Sequence, residues 1–167
     1  DATAVISTEM LSQKNQQSDE ADVATGYHAI EFLLWGQDLS RDGPGARPAT
    51  DYAVKPENER RRAYLRAVTD LLVDDLHFLV ESWQPGRDNY AKSFIAQDEN
   101  ESLKDILTSL ATLSGFELAS ERIATALDSG DQEDEQSCFS DNTHADVVMN
   151  AKGISNVYFG EYANMLE

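Results

Sequence analysis

The chain has 167 residues, 41% of them hydrophobic, and a formal net charge of −18. That length and composition support a packed core and exclude a disordered polypeptide. So acidic a surface repels nucleic acid, which excludes that class of partner, and it draws cations toward the chain. One cysteine, Cys138, excludes an intramolecular disulfide and a thiolate metal cluster within one chain. No stretch approaches the roughly 18 consecutive apolar residues of a membrane span, and Asp1 reads as the start of a mature protein or of a fragment.

Five helices are expected and no strand. The first covers about residues 4–13 and ends in the polar run SQKNQQSDEAD. The second, over about 22–36, contains GYHAIEFLLWGQD. Val23, Tyr27, Ile30 and Leu34 share one of its faces, and Phe32, Leu33 and Trp35 cover much of the remainder. A helix that is apolar nearly all round is expected to be buried on most sides. His28 and Glu31, three residues apart, project together from it.

A carboxylate in apolar surroundings is costly unless it is paired, hydrogen-bonded or bound to a metal. The H-x-x-E spacing offers an imidazole nitrogen and a carboxylate oxygen, two first-row metal ligands from one helical turn. A hydrogen bond between the two side chains, or an ion pair of Glu31 with an arginine of the third helix, meets the same requirement. After this helix, DLSRDGPGARPATDY reads as a loop, because its glycines and prolines break any periodicity.

The third helix is expected over 57–83. Leu65, Val68, Leu72, Leu76, Leu79 and Trp83 recur at three- and four-residue steps as a core-facing stripe, and QPGRDN stops it. Asp74, His77 and Glu81 repeat the His–carboxylate spacing in a charged part of this helix and read as a surface cluster.

A fourth helix is expected over 99–127, with Leu103, Ile106, Leu110, Leu113, Ala124 and Leu127 in phase. Glu117 falls where that phase calls for a leucine, and Glu121 follows one turn later. Both are therefore candidate inward-facing metal ligands, as carboxylates are in metal-binding bundles. The competing reading has Glu117 reach water or pair with Arg122.

The acidic run DQEDEQSCFSDNTH begins like a calcium loop, but Gln136 stands where the sixth-position glycine is needed and Asn142 where the twelfth-position glutamate is. Asp141 and His144 close it at i, i+3 spacing and complete the candidate ligand set. Asp141 or Asn142 also suits the N-cap of the last helix, expected over 143–162 with Val147, Ile154, Val157 and Tyr158 on one side. Long amphipathic helices with loops between them imply an all-α, antiparallel helical bundle, taken as one domain over 1–167. No catalytic dyad, nucleophile elbow or phosphate-binding glycine loop is present in the sequence, so no catalytic residue is assigned.

GYHAIEFLLWGQD followed by GPGARPATDY resembles the G-x-H-x-x-E signature region of the imelysin family. DQEDEQSCFSDNTHADVVMNAKGISNVYFGEY resembles the later block of its iron-regulated protein A branch. The resemblance spans residues 23–162 and gives Gly26, His28 and Glu31 as the signature residues. It implies an exported bacterial protein of the periplasm or outer membrane, often a lipoprotein held to the membrane by a lipid anchor, and linked to iron acquisition. It also implies a helical fold of two bundle-like halves with a site where they meet, so that a missing segment or another copy of the chain would be a partner.

The leading functional expectation is a non-catalytic protein that binds a divalent or ferric metal ion, iron foremost and zinc as the alternative. The competing readings are a zinc metallopeptidase built on the H-x-x-E pair, and a non-metal module that takes haem, a polysaccharide or a protein.

Overall fold

The computed structural model describes residues 4–19 and 22–160, and among these the fold is all-helical, with no strand. The chain forms two compact units, residues 1–91 and 92–167. The helical pattern alone predicts one domain over 1–167.

The first unit begins with α1, Thr8–Lys14. It starts four residues later than the periodicity predicts because Ser7 caps it, its hydroxyl accepting from the Met10 amide at 3.2 Å. α2 runs over Gly26–Trp35. A loop with two short 3₁₀ turns, Ala49–Tyr52 and Pro56–Asn58, leads to α3, Glu59–Trp83. Leu11, Ala29, Leu33, Ala67 and Val68 form the core of this unit, with Ile30, Tyr64 and Leu65 packed around it, and Val68 is fully buried.

Half of the predicted α3 stripe leaves that core. Leu65 and Val68 lie under α1 and α2, whereas Leu76, Leu79 and Trp83 are exposed. Length explains the difference. At 1.5 Å per residue, α3 with its 25 residues is roughly 37 Å long, while the 10 residues of α2 cover only about 15 Å. The same limit applies to α2, which buries Ala29 and Leu33 on one side and Glu31 on the opposite side while Tyr27, Phe32, Leu34 and Trp35 are exposed, so it is not buried all round. Past QPGRDN, which ends α3 as expected, a short helix α4 (Tyr90–Ile95) follows that the periodicity did not predict, and Tyr90 meets Trp83 edge-on at 5.1 Å.

The second unit carries one long helical run. α5 covers Glu99–Ala111 and is capped by Asp98, whose side chain accepts from the Asn100 amide. It passes directly into a π-helical segment, Thr112–Ala124, and then into α6, Thr125–Ser129, which Gly130 ends. The acidic run folds through a 3₁₀ turn, Gln132–Asp134, into α7, Thr143–Phe159. The expected end of this helix at Tyr162 lies outside the described residues. α7 buries Asn156, while Val157 and Tyr158 of its predicted apolar side are exposed.

Replacing Val68 by Ala should cost about 2 kcal/mol of unfolding free energy, because it opens a void at the fully buried centre of the first unit. Leu79→Ala, on the same predicted stripe but 53% exposed, should stay within about 0.5 kcal/mol of the parent in the same urea titration.

Candidate functional site

The position of α2 is set at both ends by side chains outside it. At its start, the Asn15 side-chain carbonyl accepts from the amides of Ala24 (2.9 Å) and Thr25 (3.2 Å), and the Tyr64 hydroxyl donates to the Ala24 carbonyl at 2.8 Å. These contacts satisfy the chain where it turns into the helix, since Thr25 at the N-cap makes no side-chain cap bond. Gly26 follows with φ +82° and open space around the position of a Cβ. The signature glycine is therefore required by backbone conformation and not by crowding.

At the other end, the loop after α2 grips its last carbonyls. The Tyr52 hydroxyl donates to the Leu33 carbonyl, the Arg47 amide to the Trp35 carbonyl at 2.8 Å, and the Arg47 guanidinium to the Phe32 carbonyl at 3.4 Å. Burial raises the pKa of the Tyr52 phenol, against the opposing charges of Arg47 and Arg61, so it remains a donor. The Arg47 cation lies 5.5 Å from the centre of the Phe32 ring and pairs with Asp51 at 3.4 Å, while its buried Nε has no hydrogen-bond partner. Arg61 holds the other side of the same loop through Asp51 at 3.2 Å. A Cβ on Gly45 would lie 2.7 Å from the Trp35 carbonyl oxygen and 2.9 Å from that of Gly36, so only glycine lets the loop approach α2 this closely. A pocket of about 450 Å³, lined by Trp35, Asp38, Leu39, Arg47 and Asp51 among others, opens beside this junction.

Between the two grips sit His28 and Glu31. Nδ1 of His28 lies 2.9 Å from Oε2 of Glu31. The glutamate side chain is 10% exposed and the imidazole 46%. An ionised carboxylate only accepts, so Nδ1 is the donor in this bond and Nε2 is the ring nitrogen outside it. The pairing sets the direction of the ring, in the manner of a carboxylate that orients a metal-binding histidine.

The other candidate ligands lie in the second unit. Glu117 accepts from Arg122 at 3.3 Å with its side chain 41% exposed. The α-helical phase that places it on the Leu110–Leu113 face does not apply in the π-helical segment, where Leu118 is the buried residue instead. Glu121 is exposed, one turn from Glu117. Asp141 takes a positive φ of 54° just before Asn142, which stands at the N-cap of α7 without a side-chain cap bond. His144 is exposed in the first turn of α7. Among the described residues, no three His, Cys, Asp or Glu side chains are grouped to hold a metal ion. His77 and Glu81 form an exposed pair at 3.5 Å, as the surface reading expects.

Two features escaped the sequence reading. DLSRDGPGARPATDY, expected only to break the periodicity between helices, carries the donors that seat α2; the glycine and arginine in GPGARPATDY were the available signal. Leu113, Leu118 and Ile123 recur every fifth residue, which is the spacing of i→i+5 hydrogen bonding, and the three- and four-residue template passed over it.

Gly26→Ala should lose about 1 kcal/mol from the positive φ alone. Gly45→Ala should cost about 1–3 kcal/mol, because its methyl group meets backbone that cannot move aside. Thermal unfolding of the two variants checks both.

No helix among the described residues is long and apolar enough to cross a membrane. No curated protein matches the sequence. The family model described as imelysin matches it over residues 2–167. Matched over almost all of its length, this all-helical chain belongs to the imelysin family.

Proposed function

We propose that the chain is an exported, non-catalytic binding protein that takes a transition-metal ion, iron foremost, through His28 and Glu31, and serves bacterial iron acquisition. One observation carries this reading: a nearly buried carboxylate holds Nδ1 of a half-exposed imidazole at 2.9 Å. His28 Nε2 is then the ligand atom, and Glu31 orients the ring. The metal, when bound, would supply a Lewis-acidic centre with positions open to water or to an oxygen-donor ligand. The −18 charge raises the local cation concentration without selecting among cations. The export and the iron role rest on family membership and on the earlier resemblance to the iron-regulated branch.

The peptidase reading rests on the same pair. A catalytic zinc site uses three protein ligands and a base, and among the described residues no third His, Cys, Asp or Glu joins the pair, which bears on both metal readings alike. The non-metal reading has one observation in its favour, the pocket beside Trp35 and Arg47, whose volume lies in the small-ligand range.

Isothermal titration with iron(II) and with zinc separates these readings. The parent should bind one ion, His28→Ala should abolish binding, and Glu31→Gln should weaken it about 10- to 100-fold with an unchanged circular dichroism spectrum. Equal affinity in the parent and His28→Ala would overturn the metal assignment. Cleavage of a denatured protein by the zinc-loaded chain, stopped by chelator, would favour the peptidase instead.

A further inference from the structure

The π-helical segment Thr112–Ala124 runs for 13 residues, whereas π geometry usually occurs as a single turn within an α-helix. Side-chain spacing within it follows the wider turn. Leu113, Leu118 and Ile123 line up at five-residue steps, and Leu118 is buried. The Glu117–Arg122 ion pair also joins residues five apart, which in an α-helix point in different directions. Thr125 donates to the Ser120 carbonyl through both its backbone amide and its hydroxyl.

The same residues carry a second, competing periodicity. Continued in α-helical phase from Leu103, Ile106 and Leu110, the chain returns Glu117 and Glu121 to the face of Leu110 and Leu113 and turns Arg122 away from Glu117. The π register removes both carboxylates from that apolar stripe and puts Leu118 inward in their place.

Arg122 does more than pair with Glu117. Its Nη1 donates to the Asn150 side-chain carbonyl at 3.1 Å, and Asn150 donates to the Asp146 carbonyl at 2.8 Å. The Asp146 carboxylate accepts from the hydroxyl of Ser137, a buried residue of the acidic loop, and the Ser137 amide donates to Thr143 at 3.1 Å. A continuous polar chain therefore links the register of the helix to the loop seated on the first turn of α7.

We infer that Thr112–Ala124 is a two-register element: the Glu117–Arg122–Asn150 clasp holds it in the π register, and release of the clasp returns it to the α register. The change turns Glu117 onto the Leu110–Leu113 face and frees the loop around Ser137 from its anchor. It sets how this unit presents Glu117 and Glu121, independently of metal binding at His28.

Hydrogen-bond scalar couplings in the isotope-labelled full chain read the register directly, because they identify the carbonyl that each amide contacts. In the parent, the Thr125 amide should couple to Ser120. In Arg122→Met, which keeps the stem and removes the charge, it should couple to Glu121, and the Ser137 amide should exchange with solvent at least tenfold faster. Glu117→Leu removes the clasp from the other side while placing an apolar side chain in the α phase, and it should give the same shift; it decides the matter if Arg122→Met does not fold. Retention of the Ser120 coupling in the folded variants would overturn the inference, as would a Glu121 coupling in the parent.

Discussion

The candidate site depends on the seating of α2 against α3. Ala29 and Leu33, one turn apart, share a core with the fully buried Val68, and this places one side of the short helix on the long one. Residues 28 and 31 then project from the other side by helical geometry, where the glutamate is itself buried and the imidazole half exposed. A helix of 10 residues has little stability of its own, so the packing is reinforced by bonds at both ends. Asn15 and Tyr64 hold the entry, and Tyr52 and Arg47 hold the exit. Each bond contributes about 1 kcal/mol net, enough together to fix the axis and rotation of the segment that carries His28.

Charge is used differently at the site and over the surface. Exposed pairs such as Lys104 with Glu101 and His77 with Glu81 sit in water and contribute little to stability. Asp51 is more consequential, because it joins Arg47 and Arg61 and so ties the loop behind α2 to α3. Glu31 is the extreme case. A carboxylate this poorly exposed costs free energy unless it is bonded, and its bond to Nδ1 meets that requirement while directing the imidazole outward. On the proposed metal reading, a demand of folding and a demand of ligand binding are met by the same contact.

The second unit solves a phase problem. An α-helix with the leucine spacing of α5 would carry Glu117 and Glu121 into its own apolar stripe. Wider π turns place Leu118 inward, and the carboxylate of Glu117 meets Arg122 in solvent-accessible surroundings. Asn150 and Asp146 then extend that pairing to the loop before α7. The acidic run is thus more than a solvated connection, since Ser137 and Cys138 within it are buried.

Helical class was legible in the residues because apolar spacing of three and four is a local property, and stops such as QPGRDN act within one turn. The pairing of His28 with Glu31 was legible for the same reason: one turn of helix brings them together whatever surrounds it. How far each stripe is covered was not, because that depends on the lengths of the neighbouring helices; Leu79 and Val68 are equivalent in sequence phase and opposite in burial. The role of the loop over 38–52 also needed the tertiary structure, since Tyr52 and Arg47 act on carbonyls 12 to 19 residues away along the chain. The sequence by itself determined the helical class of the fold and which side chains share a turn wherever the helix is α-helical. The tertiary structure decided which of those faces meet protein and which meet water, because burial is a property of the neighbours and not of the segment.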